Sequence, residues 1–139
     1  MGKGNFKKFL RYIPKDKRNQ IIAKAPEPEI EQYYGAADLF VLPSIYEPFG
    51  NANLEALATG LPVITTEFCG AANIIESKNN GLIIQDPYNP MEIAEKINYL
   101  FDLSIRKTMG NNARKLAEQF SLKRNNQEML KIYEKITTA

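Results

Sequence analysis

The chain has 139 residues, enough for about one ordinary domain with a real core, and its 44% hydrophobic and 24% charged residues exclude a disordered segment. A net charge of +2 excludes an acidic tail and argues against wholesale nucleic-acid binding. With no His, no Trp and Cys69 as its one cysteine, the chain can hold no internal disulfide, no His-based triad and neither a His-ligated nor a thiolate-cluster zinc site. A lone cysteine fits a reducing compartment. No apolar run approaches the ~18 residues of a membrane span, and no signal-peptide core follows Met1. The expectation is therefore a cytoplasmic protein, with the inner face of the membrane as a further place for it.

In chain order, Phe6 to Asn19 carries apolar Phe6, Phe9, Leu10 and Ile13 at helical spacing, and Pro14 should break or end that helix. Seven of the first eighteen residues are Lys or Arg (Lys3, Lys7, Lys8, Arg11, Lys15, Lys17 and Arg18), set against one Asp. They read as a solvated helix face; contact with an anionic membrane surface or a donor phosphate is the functional alternative. "IIAKAP" (Ile21–Pro26) reads as a short strand ended by prolines. Pro28 starts a helix that runs through Tyr33 and Tyr34 towards Ala37, with both tyrosines as packing residues of its face.

"DLFVLPS" (Asp38–Ser44) is continuously apolar, as in a parallel strand buried on both faces. "EPFGNANLEALATG" follows, from Glu47 to Gly60: a loop, then a helix opened by Gly50. "LPVITT" (Leu61–Thr66) is a second buried strand led by Pro62, a short helix lies near Ala71–Ser77, and "GLIIQ" (Gly81–Gln85) is a third strand. The rest, Pro90 to Thr137, reads as two or three amphipathic helices. Regular strand–helix alternation means crossover connections, hence an α/β fold: a Rossmann-like parallel sheet with helices on both faces. No repeat, linker or low-complexity segment interrupts 1–139, so a single domain is expected.

In such sheets ligands bind outside the carboxyl ends of the strands, in the loops that lead into helices. The loop Ile45–Asn51 is one of these. Gly50 lets the backbone approach a ligand, and the helix it opens offers unpaired N–H groups and a positive dipole end, a natural seat for phosphate. Glu47 stands before the helix and Glu55 about one turn inside it. Eight helical residues would span ~12 Å, roughly the separation of sugar and ribose in a nucleotide sugar. Carboxylates at either end of a phosphate site would accept from the hydroxyls of both. Two glutamates at this spacing also arise by chance on ordinary helices. Cys69 follows a buried strand beside Gly70 and could touch a ligand through its loop, but no base stands near it in sequence to make it a nucleophile.

The longer stretch "YYGAADLFVLPSIYEPFGNANLEALATGLPVITTEFCG" closely resembles the donor-binding, C-terminal half of retaining GT-B glycosyltransferases of the group 1 family. That family has two glutamates with seven residues between them, an "AD-apolar-PS" strand before and "G-x-P-V-I" after. Glu47 and Glu55 match the glutamates, Pro48–Phe49–Gly50 the segment after the first, and Gly60–Leu61–Pro62–Val63–Ile64 the next strand. The clear match runs from about Tyr33 to Asp86. By resemblance, Glu47 is the catalytic-site contact to the donor sugar. Pro48, Phe49, Gly50, Asn51, Ala52 and Leu54 form the donor-binding segment, with amides around Gly50–Ala52 on sugar and diphosphate, and Glu55 holds the ribose. "TTEFCGAANII" is more similar to the lipopolysaccharide-core glucosyltransferase branch than to members with "GG-x-PE" here.

The resemblance implies a donor such as a UDP- or GDP-sugar, a glycan or lipid-linked glycan acceptor, no metal or other cofactor, and no nucleic-acid partner. It also implies an N-terminal acceptor domain, two first strands and an Arg/Lys loop, none of which has a counterpart here. The chain thus reads as a truncated domain, inactive alone. The absent strands belong between "IIAKAP" and "DLFVLPS", so either those two meet directly or another chain, including a second copy, fills the gap. Two readings stand beside the enzyme: a non-catalytic nucleotide- or phosphate-binding module completed by a partner chain, and a flavodoxin-like signalling domain. The last would want acidic residues at the end of its first strand, and no such cluster is seen.

Overall fold

The computed structural model describes residues 6–24 and 28–137. Its backbone divides after Tyr33 into two units. In the first, the expected helix over Phe6–Asn19 forms as two short 3-10 helices, Phe6–Tyr12 and Lys15–Gln20. Pro14, extended at ψ 139°, separates them as its ring requires, and neither piece is long enough to favour a regular α-helix. Arg18 is not merely solvated: its guanidinium donates to the carbonyls of Leu10 (2.7 Å) and Ile13 (3.1 Å), closing the turn around the proline. Lys8 and Arg11 lie over the rings of Phe9 and Tyr12.

Of the strand expected at Ile21–Pro26, the described part, residues 21–24, is not in a strand, and residues 25–27 lie outside the described ones. Apolar β-propensity makes a strand only where an edge is offered to pair with, and "IIAKAP" carries no such guarantee. Helix α1, Ile30–Ala36, is where expected and runs across the division.

In the second unit the order is β1 (Phe40–Leu42), α2 (Asn51–Ala58), β2 (Val63–Thr66), a 3-10 turn over Gly70–Ile74, β3 (Gly81–Ile84), then α3 (Pro90–Tyr99), α4 (Leu103–Ala117) and α5 (Leu122–Thr137). Both strand pairings are parallel, in the order β1-β2-β3, with Phe40 opposite Val63 and Val63 opposite Gly81. The fold is thus the Rossmann-like α/β class read from the alternation. β2 is buried at every residue and β3 at all but Ile83, as their continuous apolar runs require. β1 departs from expectation: all three of its residues are only half-buried, because among the described residues it pairs on one side alone.

The core joins Ile64, Leu82 and Ile84 of the strands to Leu100 and Met109, with Val41, Ile93, Ile97 and Ile105 packed around them. Each such side chain contributes ~1.5–3 kcal/mol by leaving water. α3 starts where Asn89 accepts from the amides of Met91 and Glu92, with Pro90 at its first position. α4 is capped in the same way by Asp102. α5 buries none of its residues. No helix among the described residues is long and apolar enough to cross a membrane.

Glu92 ties β3 to α3. Its carboxylate accepts from the Gln85 amide (2.9 Å) and the Asp86 amide (3.0 Å) and meets Lys96 Nζ at 3.0 Å. These contacts, the Gln85 N–H first, hold its carboxyl below the usual glutamate range. A depressed folded value stabilises the fold fully above the ~4.3 at which an unfolded Glu titrates, and the contribution is lost as pH falls below that. Urea midpoints should therefore fall on acidification from ~pH 6 to ~pH 3, and Glu92→Gln should show a smaller fall over the same range. An identical acid response in both proteins would remove Glu92 from the account.

Candidate functional site

Two threonines of β2 carry the chain from the sheet into the loop. Thr65 Oγ1 donates to the Leu42 carbonyl (3.0 Å) and Thr66 Oγ1 to that of Ser44 (2.6 Å), each fully buried, so β1 stays attached two residues beyond its ladder. The loop then meets the segment after β2. Glu47 N–H donates to Phe68 O (3.2 Å), Gly70 N–H to Glu47 O (3.0 Å) and Ala71 N–H to Phe49 O (2.9 Å). Glu47 and Cys69 thereby form an isolated parallel bridge at the carboxyl ends of β1 and β2. The approach is so close that a Cβ on Gly70 would lie 2.0 Å from Pro48 O.

Gly50 opens α2 with φ 77° and ψ 67°, a left-handed conformation that side chains rarely adopt. A Cβ there would stand 2.8 Å from Asn53 Nδ2, 3.0 Å from Cys69 Sγ and 3.1 Å from Glu47 Cγ, so the stem of Glu47 lies against the start of the helix. No side chain caps α2 and no acid sits in its first turn. Its first N–H groups and the positive end of its dipole therefore stay available to an anion. The other end is closed by Thr59 Oγ1 on Ala56 O and by the Arg114 guanidinium on Ala58 O.

The sequence-derived residues come together unequally. Only the second half of the interval from Glu47 to Glu55 is helical, since α2 starts at Asn51, so the ~12 Å rise of an unbroken helix does not apply. Glu55 does lie one turn inside α2, exposed, where the Tyr34 hydroxyl donates to its Oε2 at 3.0 Å. Half-buried Glu47 has a carboxylate that takes no partner among the described residues. Pro48 is exposed and Ala52 half-buried. Phe49, Asn51 and Leu54 line a groove of about 590 Å³ with Phe120, Leu122 and Arg124. In that segment it is the amides of Gly50 to Ala52 that belong to the helix mouth.

Cys69 corrects one expectation. At 1% exposure it sits behind the loop and cannot touch a ligand. Its thiol donates to Phe49 O (3.2 Å) and accepts from Asn53 Nδ2 (3.2 Å). Asn53, completely buried, leaves its Oδ1 without a partner among the described residues. Neither this pair nor the role of Tyr34 was foreseen. Tyr34 does pack, edge-on against Phe40 with 5.7 Å between centroids, but it also fixes Glu55. A polar Asn between Ala52 and Leu54 was the one available signal. Among the described residues no three His, Cys, Asp or Glu cluster as metal ligands would.

The model of the family "Glycosyl transferases group 1" matches residues 1–116. Spore coat protein SA of Bacillus subtilis is 39% identical over 110 residues, covering 77% of this chain and 29% of that protein. The lipopolysaccharide glucosyltransferase WaaG of Escherichia coli is 34% identical over 91 residues, 65% of this chain and 24% of that one. The structure of Anabaena Alr3699/HepE in complex with UDP-glucose superposes with a TM-score of 0.83 at 28% identity, covering 96% of this chain and 36% of that chain. The chain thus spans about a quarter to a third of the length of these relatives.

Gly50→Ala should cost ~1–3 kcal/mol in urea denaturation, from the left-handed backbone and the crowding by Asn53 and Cys69. Gly35→Ala, in a helix with nothing within 4 Å of its Cβ, should cost nothing or stabilise. Equal effects at the two positions would contradict the geometry of the loop.

Proposed function

The chain belongs to the group 1 glycosyl transferases, and from that premise we propose that it is the nucleotide-sugar-binding, C-terminal half of a retaining GT-B enzyme that transfers a hexose to a glycan or lipid-linked glycan. The observation that carries this reading is the uncapped mouth of α2, opened by Gly50, with a carboxylate before it that takes no partner among the described residues and a tethered one inside it. The UDP-glucose in the HepE structure supports the donor class, and WaaG a lipopolysaccharide or related acceptor.

In this reading the amides of Gly50, Asn51 and Ala52 receive the diphosphate and stabilise the charge that grows on it as the glycosidic bond breaks. Glu47, beyond the mouth, accepts from the sugar hydroxyls and fixes the anomeric carbon relative to the acceptor. Glu55 accepts from the ribose hydroxyls, and Tyr34 holds that carboxylate in place. The helix end supplies the positive potential, so donor binding is metal-independent. The base is uracil or guanine. Transfer needs the acceptor domain that the family resemblance implies, and the enzyme works in the cytoplasm, at the inner face of the membrane where a lipid-linked acceptor would be. A second reading, a non-catalytic nucleotide-binding subunit completed by a partner chain or a second copy, draws on the half-buried β1, paired on one side among the described residues.

Calorimetric titration with UDP- and GDP-sugars tests the reading, and Glu55→Ala should weaken nucleoside diphosphate binding by ~1.5–3 kcal/mol. In the complete enzyme, Glu47→Gln should keep nucleoside diphosphate affinity within about twofold yet slow transfer by ~10²-fold or more. Equal losses of affinity and transfer in that variant would make Glu47 a structural residue of the loop. Donor binding should survive chelator; its abolition would mean that a metal, and not the helix end, neutralises the diphosphate.

A further inference from the structure

We propose that Asn53 and Cys69 are positioning residues: a buried relay from the Asn53 amide through the Cys69 thiol to the Phe49 carbonyl aims the Gly50 N–H at the donor. The inference rests on the donor-site reading above and adds the device that sets its geometry.

The Phe49 carbonyl and the Gly50 N–H are two ends of one peptide unit, and in a trans peptide they point in opposite directions. Whatever holds the carbonyl therefore aims the N–H. Two donors hold it: the Ala71 amide at 2.9 Å and the Cys69 thiol at 3.2 Å. Both reach it from the segment after β2, behind the loop, so the Gly50 N–H turns the other way, and no acceptor among the described residues takes it. A thiol has one proton, and its orientation is decided by what else approaches the sulfur. Asn53 Nδ2 donates to Sγ at 3.2 Å, which leaves the S–H to point at Phe49. The same relation orients the Asn53 side chain, since its amide nitrogen must face the sulfur.

Burial makes this arrangement expensive. Asn53 has no exposed surface, its Oδ1 is unpartnered among the described residues, and one N–H is spent on a weak sulfur acceptor. An apolar residue at a buried helix position would avoid that desolvation cost. A polar group that costs stability and touches the support of a ligand-facing peptide is the pattern of a residue retained for function. Gly50 completes the device, because any Cβ would displace the Asn53 amide and the sulfur together.

The test uses the full chain, titrated calorimetrically with UDP-glucose and GDP-glucose, alongside thermal melting and amide exchange. Asn53→Leu should melt no lower than the unmodified chain yet bind about tenfold more weakly, one charge-assisted hydrogen bond's worth. Cys69→Ala should weaken binding to a similar degree, while Cys69→Ser, which keeps a donor and an acceptor, should stay within about threefold. The Ala71 amide should exchange faster in Asn53→Leu and Cys69→Ala, with Leu82 in β3 unchanged. Affinity that ignores both substitutions, or that falls only in step with the melting temperature, overturns the relay and leaves the donor site standing. If the unmodified chain binds neither nucleotide sugar, the donor-site reading falls and the relay's role falls with it.

Discussion

The second unit depends on β2. Its four residues are buried without exception, it pairs in parallel on both sides, and its two threonines reach past the ladder to hold the end of β1. A parallel ladder sends neighbouring strands out of the sheet at the same end, so the loops after β1 and β2 must leave side by side. Three backbone hydrogen bonds then join Glu47, Phe49 and their surroundings to Phe68–Ala71. The loop that enters α2 is consequently a continuation of the sheet, held by the same kind of backbone hydrogen bonds.

Such anchoring suits a helix end that is to receive an anion. Backbone amides have no rotamers to adjust, so their usefulness to an anion depends on where the peptide planes are set before it arrives. Gly50 permits the left-handed turn, the Phe49 carbonyl is engaged from behind, and the first turn of α2 carries neither a capping side chain nor an acid to compete. The two glutamates are treated differently: Glu55 is tied to Tyr34, and Tyr34 to the ring of Phe40, whereas among the described residues Glu47 is held through its backbone alone.

Much of this was legible one residue at a time. Buried parallel strands show as unbroken apolar runs, which is why "LPVITT" and "GLIIQ" were readable, and Pro14, Gly50 and Pro90 announce their breaks and starts through their own φ preferences. "IIAKAP" misled because a strand is a relation between two segments: its residues suit pairing, yet its described residues, 21–24, are not in a strand. β1 misled in the same manner, since apolar residues state a willingness to be buried and the neighbours decide the burial.

By itself the sequence determined the α/β class, the order of the elements in the second unit, and a glutamate before and another inside a glycine-opened helix, because each of these is written in local spacing and composition; its resemblance to known members gave the family. Only the tertiary structure decided which partners those residues meet: Tyr34 on Glu55, Asn53 and Cys69 behind Phe49, Arg18 on the carbonyls before Pro14, Glu92 on the amides after β3. Those contacts join residues 8 to 21 positions apart in most cases, and no periodicity encodes them. The Asn53, Cys69 and Phe49 contacts exist because parallel pairing brings the ends of β1 and β2 together, and hydrogen-bond geometry then selects among the side chains that meeting supplies.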